Sequence, residues 1–385
     1  MPATLRHLAR AASLGIAVAL ALSIPATAGA EGSITSPSLS TPDATPYVGG
    51  PKGELFIPEV DNDTVAVMDT ATNAITKRIP LSVPVGPSHP AVLAKTPDGS
   101  KVYTDNFGLL SPSISIIDRV NDTTRTMPVE SVPLGIFTSG DGKEIYIPEM
   151  GFVVEVLDVA TDTIVRRLRF DDIPAGAMAG PDGLMYVGFA SGLIGAYDPV
   201  TGATVKPPIW SGGLATFWYS FTQDGKKLYT DTVNSIGVID VEKWELTKTV
   251  ATEENGVGGL MNPGAFTSEI SPDGKKLYVT RFGKNGVMVF DTADDKLLGV
   301  IPTEGDVIGM TFSADGTRGY ISDAGPTSRN IPGPIGEGIT FMNLITVGFL
   351  GPGTLITFDP ADDQILDKTP TAAGPGIPAW LPPLD

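Results

Sequence analysis

The chain has 385 residues and no cysteine, which excludes disulfides, thiolate metal sites and a cysteine nucleophile. Its 44 acidic and 26 basic residues give a net charge of −18, a balance that repels phosphate backbones and argues against nucleic acid as a partner. With 45 glycines and 34 prolines, the composition points to a chain dense in turns.

Residues 1–30 read as a secretory signal peptide. Arg6 and Arg10 open it, an apolar run follows from Ala11 to Leu22, and Ala28-Gly29-Ala30 supplies a small-residue cleavage site. The apolar run is too short to span a membrane. The expectation is therefore an exported protein, periplasmic or extracellular, and not transmembrane. Residues 31–50 are rich in Ser, Thr and Pro and read as a flexible leader.

From residue 51 onward one dipeptide recurs. Asp98-Gly99, Asp141-Gly142, Asp182-Gly183, Asp224-Gly225, Asp273-Gly274 and Asp315-Gly316 are spaced by 43, 41, 42, 49 and 42 residues, and Lys52-Gly53 holds the same place one period earlier. A period of about 40–45 residues in a strand-rich chain marks a β-propeller. One period parses into four strands, as in GAFTSEI, LYVT, VMVF and KLLGVI between Gly264 and Pro302. Asp-Gly suits the first hairpin because both residues tolerate positive φ. A second marker, an Asp that closes the third strand, recurs at Asp69, Asp118, Asp158, Asp198, Asp240, Asp291 and Asp359. A carboxylate there can accept amide hydrogens of the following turn.

The first period lacks its first strand. The C-terminal stretch GPGIPAWLPPLD echoes GPSHPAVL at 86–93, so it is expected to supply that strand and latch the ring. The predicted fold is all-β: a seven-bladed β-propeller of four-stranded antiparallel blades over 51–385, with the C-terminal strand closing blade 1.

DNDTVAVMDTATNAITKRI (61–79), DVATDTIVRRL (158–168) and SPDGKKLYVT (271–280) closely resemble YVTN-type propeller repeats. The resemblance implies an exported or cell-surface protein of bacteria or archaea and says little about chemistry. The chain departs from the family's usual Asn at the fourth motif position, where it carries Glu59, Asn106, Glu149, Phe189, Thr232, Arg281 and Asp323.

Loop lengths point to one working face. From turn Gly to third-strand Asp the counts are 16, 19, 16, 15, 15, 17 and 43, so the last blade carries an insertion at 326–353. This insertion and the longer loops between blades all emerge on one face of a propeller, where function is expected to concentrate. Candidate ligand-binding residues there are Glu59, Asp105, Asn106, Glu149, Asp231, Arg281 and Asp323, together with Phe341, Met342 and Phe349 of the insertion. Of these, Glu59, Asn106, Glu149, Asp231 and Asp323 supply the oxygen ligands that Ca²⁺ or Mg²⁺ requires; the competing reading is that they cap their own loops. His89, the single histidine after the signal peptide, is the candidate general base, against a plain loop role. The expected function is binding of a small molecule or envelope protein by a non-catalytic monomer that needs no cofactor. The alternative is a divalent-metal-dependent lactonase or lyase at an acidic central funnel, and a third reading is a structural spacer of the envelope.

Overall fold

The computed structural model describes residues 47, 49–232, 235–252, 265–281, 284–325 and 350–384. The signal peptide, Phe341, Met342 and Phe349 lie outside the described residues. Within them every strand pairing is antiparallel, and the strands form six sheets, five of four strands and one of seven. No described helix is long and apolar enough to cross a membrane.

Each sheet is a meander; its innermost strand is the first of the meander in sequence, except where the C-terminal Ala379–Leu381 takes that place beside Glu54–Glu59. These innermost strands touch one another in cyclic order: Pro90–Lys95, Phe137–Thr138, Pro174–Ala179, Trp218–Phe221, Ala265–Ile270, the second half of Leu297–Phe312, Ala379–Leu381, and back to Pro90–Lys95. They surround the axis of a ring. The second and third strands outside them are buried on both faces, as in Lys101–Asn106 and Ser113–Asp118, and their Val, Ile and Tyr side chains pack against the neighbouring sheets. The outermost strands, such as Thr123–Pro128, are exposed or half-buried along their length.

The C-terminal strand takes the position that the sequence echo predicts. Glu54, Leu55 and Phe56 pair with Leu381, Trp380 and Ala379. Gly53 is required there, because a Cβ on it would stand 2.5 Å from the Trp380 ring. The sequence predicts four-stranded units throughout, whereas one sheet has seven strands. The reason lies in Leu297–Phe312, sixteen residues long, whose first part pairs with Asn285–Asp291 and whose second part, Val307–Phe312, pairs with Gly319–Asp323. The chain passes from one meander to the next without leaving extended conformation.

The turn chemistry needs one correction. In all six Asp-Gly turns only the glycine has positive φ, between 68° and 80°. The Asp instead accepts the amide hydrogen two residues on, as from Ser100 to Asp98 and Lys275 to Asp273. The third-strand aspartates act as expected: Asp69, Asp118, Asp158, Asp198, Asp240, Asp291 and Asp359 each accept amides of the turn that follows.

Four residues past each of those aspartates the backbone turns left-handed, and four such positions carry a second Asp: Asp122 pairs with the exposed Lys77, and the other three tie neighbouring meanders through a lysine and a buried tyrosine. Lys101 and Tyr103 both reach Asp162, Lys227 and Tyr229 both reach Asp295, and Lys276 and Tyr278 both reach Asp363. The tyrosine rings are fully buried, so each hydroxyl needs this partner. Where Trp244 replaces the Asp, its ring meets Tyr186 edge-on and lies under the Lys206 ammonium instead.

Candidate functional site at the ring axis

The ends of the second strands hold the residues that the sequence singles out, and all of them are buried. Glu59 accepts hydrogen bonds from Thr64 Oγ1 at 2.6 Å, from Arg78 Nε at 3.0 Å and from the Ala372 amide at 2.8 Å. Asn106 donates to Ser113 and Ser115, each at 3.0 Å. Asp323 accepts three amides, from Glu304, Gly305 and Gly325, at 2.7–2.9 Å. Arg281 donates to the carbonyls of Asn285 and Gly286 in its own sheet, and Thr232 to the carbonyl of Ser235. Phe189 packs in an apolar cluster. These groups hold their own loops and the adjoining ones. The structure does not gather them, and among the described residues no group of three or more His, Asp or Glu side chains is placed to hold a metal ion.

Three carboxyls are less well served. Asp105 accepts the Ala91 and Val92 amides through one oxygen while the other is buried without a partner, and burial pushes its pKa up to about 7. Glu149 accepts the Ser131 amide and hydroxyl through one oxygen. Burial and the nearby Glu155 raise it to about 8. Asp231 is raised well above the usual range by burial; Ser268 lies beside it, yet neither oxygen is aligned for a hydrogen bond.

Glu155 is a residue the sequence reading misses. It occupies a fully buried third-strand position where the equivalent residues are Ala66, Ser115, Gly195, Gly237, Met288 and Ile356. Arg167 Nε stands 2.7 Å from it as an ion pair, and Arg167 and Arg169 both reach Glu130 at the surface. A charged residue in a position otherwise small or apolar was the available signal.

His89 lies in the left-handed backbone region at φ 49°. Asp63 Oδ1 pins the segment by accepting the Ser88 amide at 2.7 Å, the Ser88 hydroxyl at 2.9 Å and the His89 amide at 3.0 Å. The imidazole is buried and its Nδ1 has no partner, and burial raises the pKa of nearby Asp61.

The axis itself is apolar at the loop end. A cavity of about 60 Å³ is lined there by Ala91, Val92, Phe217, Trp218, Phe266, Ile308 and Ile377, with Phe107, Leu134 and Thr267 completing the wall. Nearly all come from the first residues of the innermost strands or the segments leading into them, so the ring delivers one or two apolar groups from each of several sheets. Trp218 is fixed by its indole N–H, which donates to the Ser268 carbonyl at 3.1 Å. No sequence-nominated carboxylate lines this cavity. Their strands lie one place further from the axis, which is the geometric reason. The sequence signal was present in AVL (91–93), ATFWYSF (215–221) and GAFTSEI (264–270), but apolar residues at strand starts read as ordinary core.

A scan against protein-family models and a search of curated proteins found no match. Solved structures do match. The hydrazine synthase of Kuenenia stuttgartiensis is 18% identical, with a TM-score of 0.57 over 74% of this chain and 88% of that one. The dihydro-heme d1 dehydrogenase NirN, in complex with DHE, is 13% identical, with a TM-score of 0.55 over 90% of this chain and 79% of that one. A functionally unknown protein from Desulfotomaculum acetoxidans DSM 771 is 16% identical, with a TM-score of 0.63 over 86% of this chain and 99% of that one. At these identities the likeness concerns fold alone, and with the closed ring of antiparallel meanders it makes this chain a β-propeller.

Proposed function

We propose that the protein is an exported, seven-bladed propeller of YVTN type that binds a ligand or envelope partner through its loop face without catalysing a reaction. Seven blades follow if the seven-stranded sheet counts as two blades joined through Leu297–Phe312, a division its two pairing partners support. Export rests on residues 1–30.

The observation that carries the binding role is the aromatic cavity at the loop end of the axis. At about 60 Å³ the cavity is far smaller than the several hundred Å³ that enclose a whole small ligand, so it offers a socket for one apolar group of a molecule lying on the loop face. An apolar group entering between Trp218, Phe266 and Ile308 would be held without displacing any internal hydrogen bond. The insertion leaves the ring beside Ala324 and rejoins it at Leu350, and both residues share the apolar cluster that contains Ile308 and Ile377. Phe341, Met342 and Phe349 are proposed as further contacts for the bound partner. The metal-dependent lactonase or lyase reading draws no support from the geometry of Glu59, Asn106, Glu149, Asp231 and Asp323, whose partners belong to their own loops or those adjoining.

The test is titration with an apolar fluorophore, 1-anilinonaphthalene-8-sulfonate, in the mature protein and in Ala91→Leu, which fills the cavity wall. We expect a saturable fluorescence change that weakens at least tenfold in Ala91→Leu while circular dichroism is unchanged. Equal binding by both proteins would remove the cavity from the functional account.

A further inference from the structure

The pairing of Glu144–Glu149 with Val153–Asp158 sets two glutamates side by side. Glu149 lies opposite Val153, and Ile147 lies opposite Glu155. Side chains alternate along a strand, so Glu149 and Glu155 take diagonal positions on one face, close enough for side chains of their length to meet. Both are fully buried, and the two carboxyls lie within hydrogen-bond distance of each other.

Each carboxyl has one oxygen held from outside the pair. Glu149 Oε2 accepts the Ser131 amide and hydroxyl, and Glu155 Oε1 stands 2.7 Å from Nε of Arg167, its partner across the next strand pairing. The other oxygens, Glu149 Oε1 and Glu155 Oε2, are buried, and among the described residues no N–H or O–H donates to either. Two adjoining carboxyls, each with an acceptor left over, are satisfied by one hydrogen between them.

The local charges point the same way. Glu130, Glu149 and Glu155 stand against only two guanidinium groups, those of Arg167 and Arg169, and Glu130 already pairs with both. One proton supplies the missing charge. From the neighbouring meander Lys101, Tyr103 and Asp105 face this interface, since the first two reach Asp162. Lys101 and Arg125 are taken up by Asp162, and Asp105 brings no positive charge.

We infer that Glu149 and Glu155 hold one proton between them and that this proton is a clasp on residues 131–134. Glu149 carries Ser131, whose hydroxyl oxygen accepts the Gly151 amide, while the Leu134 amide donates to the Pro148 carbonyl. Leu134 belongs to the wall of the axial cavity, yet the clasp stands independently of what that cavity binds. In alkali the proton leaves, and two buried anions remain on strands whose backbones are paired and cannot part. Glu155 keeps Arg167, Glu149 turns away, and Ser131 loses its acceptor.

The experiment is an NMR titration from about pH 5 to 10 of the mature protein, with ¹³C in the glutamate carboxyls and ¹⁵N in the amides. We expect one glutamate to titrate at about pH 8, with the Ser131 and Gly151 amide signals moving at the same midpoint. Glu155→Gln keeps the shape and donates an N–H to Glu149, so it should lower that midpoint by about one unit or more. Arg167→Met, on the half-exposed side of the pair, should raise it. The inference is overturned if every glutamate titrates below about pH 7, or if the high midpoint survives Glu155→Gln unchanged. It is equally overturned if the carboxyl titrates as expected while the Ser131 amide stays still, because the proton then clasps nothing.

Discussion

The two faces of the ring treat their acids in opposite ways. At the short-turn face Asp98, Asp118, Asp141, Asp158, Asp198, Asp224, Asp240 and Asp273 sit in water and accept turn amides or hydroxyls, and these bonds lower their pKa values, that of Asp273 to about 2. Toward the loop face Asp105, Glu149, Asp231 and Asp323 are enclosed, and burial raises them despite the amides that several accept. The same carboxyl group is thus a turn clamp on one side and a buried, proton-retaining group on the other. Solvent access decides which, because one or two amide bonds outweigh a weak desolvation penalty and lose to a complete one.

That contrast can be broken at graded depth. The largest effect is expected where a turn-face Asp is itself enclosed: Asp363→Ala strands the Lys276 ammonium and the buried Tyr278 hydroxyl, and should cost about 3 kcal/mol in urea unfolding. Next comes Asp105. Its folded pKa of about 7 lies above the ordinary value, so the folded state holds a proton that the unfolded chain releases. Stability from this group is complete below about pH 4 and falls as pH rises toward 7. Asp105→Asn keeps an oxygen for the Ala91 and Val92 amides; it should flatten that decline and raise stability at pH 8 by roughly 2 kcal/mol, read from urea midpoints across the pH range. The smallest effect belongs to Asp273, whose pKa is depressed. Its contribution is present above the ordinary carboxylate range and lost as pH falls toward 2, and Asp273→Ala should cost only about 0.5 kcal/mol at pH 7 because water screens the site.

The sequence made the turn face legible and the loop face opaque for related reasons. Asp-Gly and the third-strand Asp act on amides two or three residues away, so spacing alone reveals them. The Lys-x-Tyr segments at 101–103, 227–229 and 276–278 were equally regular, but their partners Asp162, Asp295 and Asp363 lie some 60 to 87 residues on, in the next unit, and the link appears only once units are laid side by side. Glu59 and Asp323 looked like ligands because a carboxylate at a strand end commonly faces water. Their partners are loop amides that spacing does not reveal: the Ala372 amide, 313 residues from Glu59, and the Glu304 and Gly305 amides of the segment that adjoins Asp323. Trp218 and Phe266 were hidden by the reverse effect, since an apolar residue attracts no attention until a cavity is found beside it.

Pairing Glu54–Phe56 with Ala379–Leu381 has a consequence for how the molecule is made. Synthesis proceeds from the N-terminus, so the opening strand emerges with a bare hydrogen-bonding edge and waits through more than 320 residues for its neighbour. Until then the ring is a curved ribbon with two adhesive ends, and a second such ribbon offers the same edge at no loop-closure cost. Completion of the circle is therefore a race between a late intramolecular partner and early intermolecular ones, and the local concentration of unfinished chains decides how often the wrong one wins.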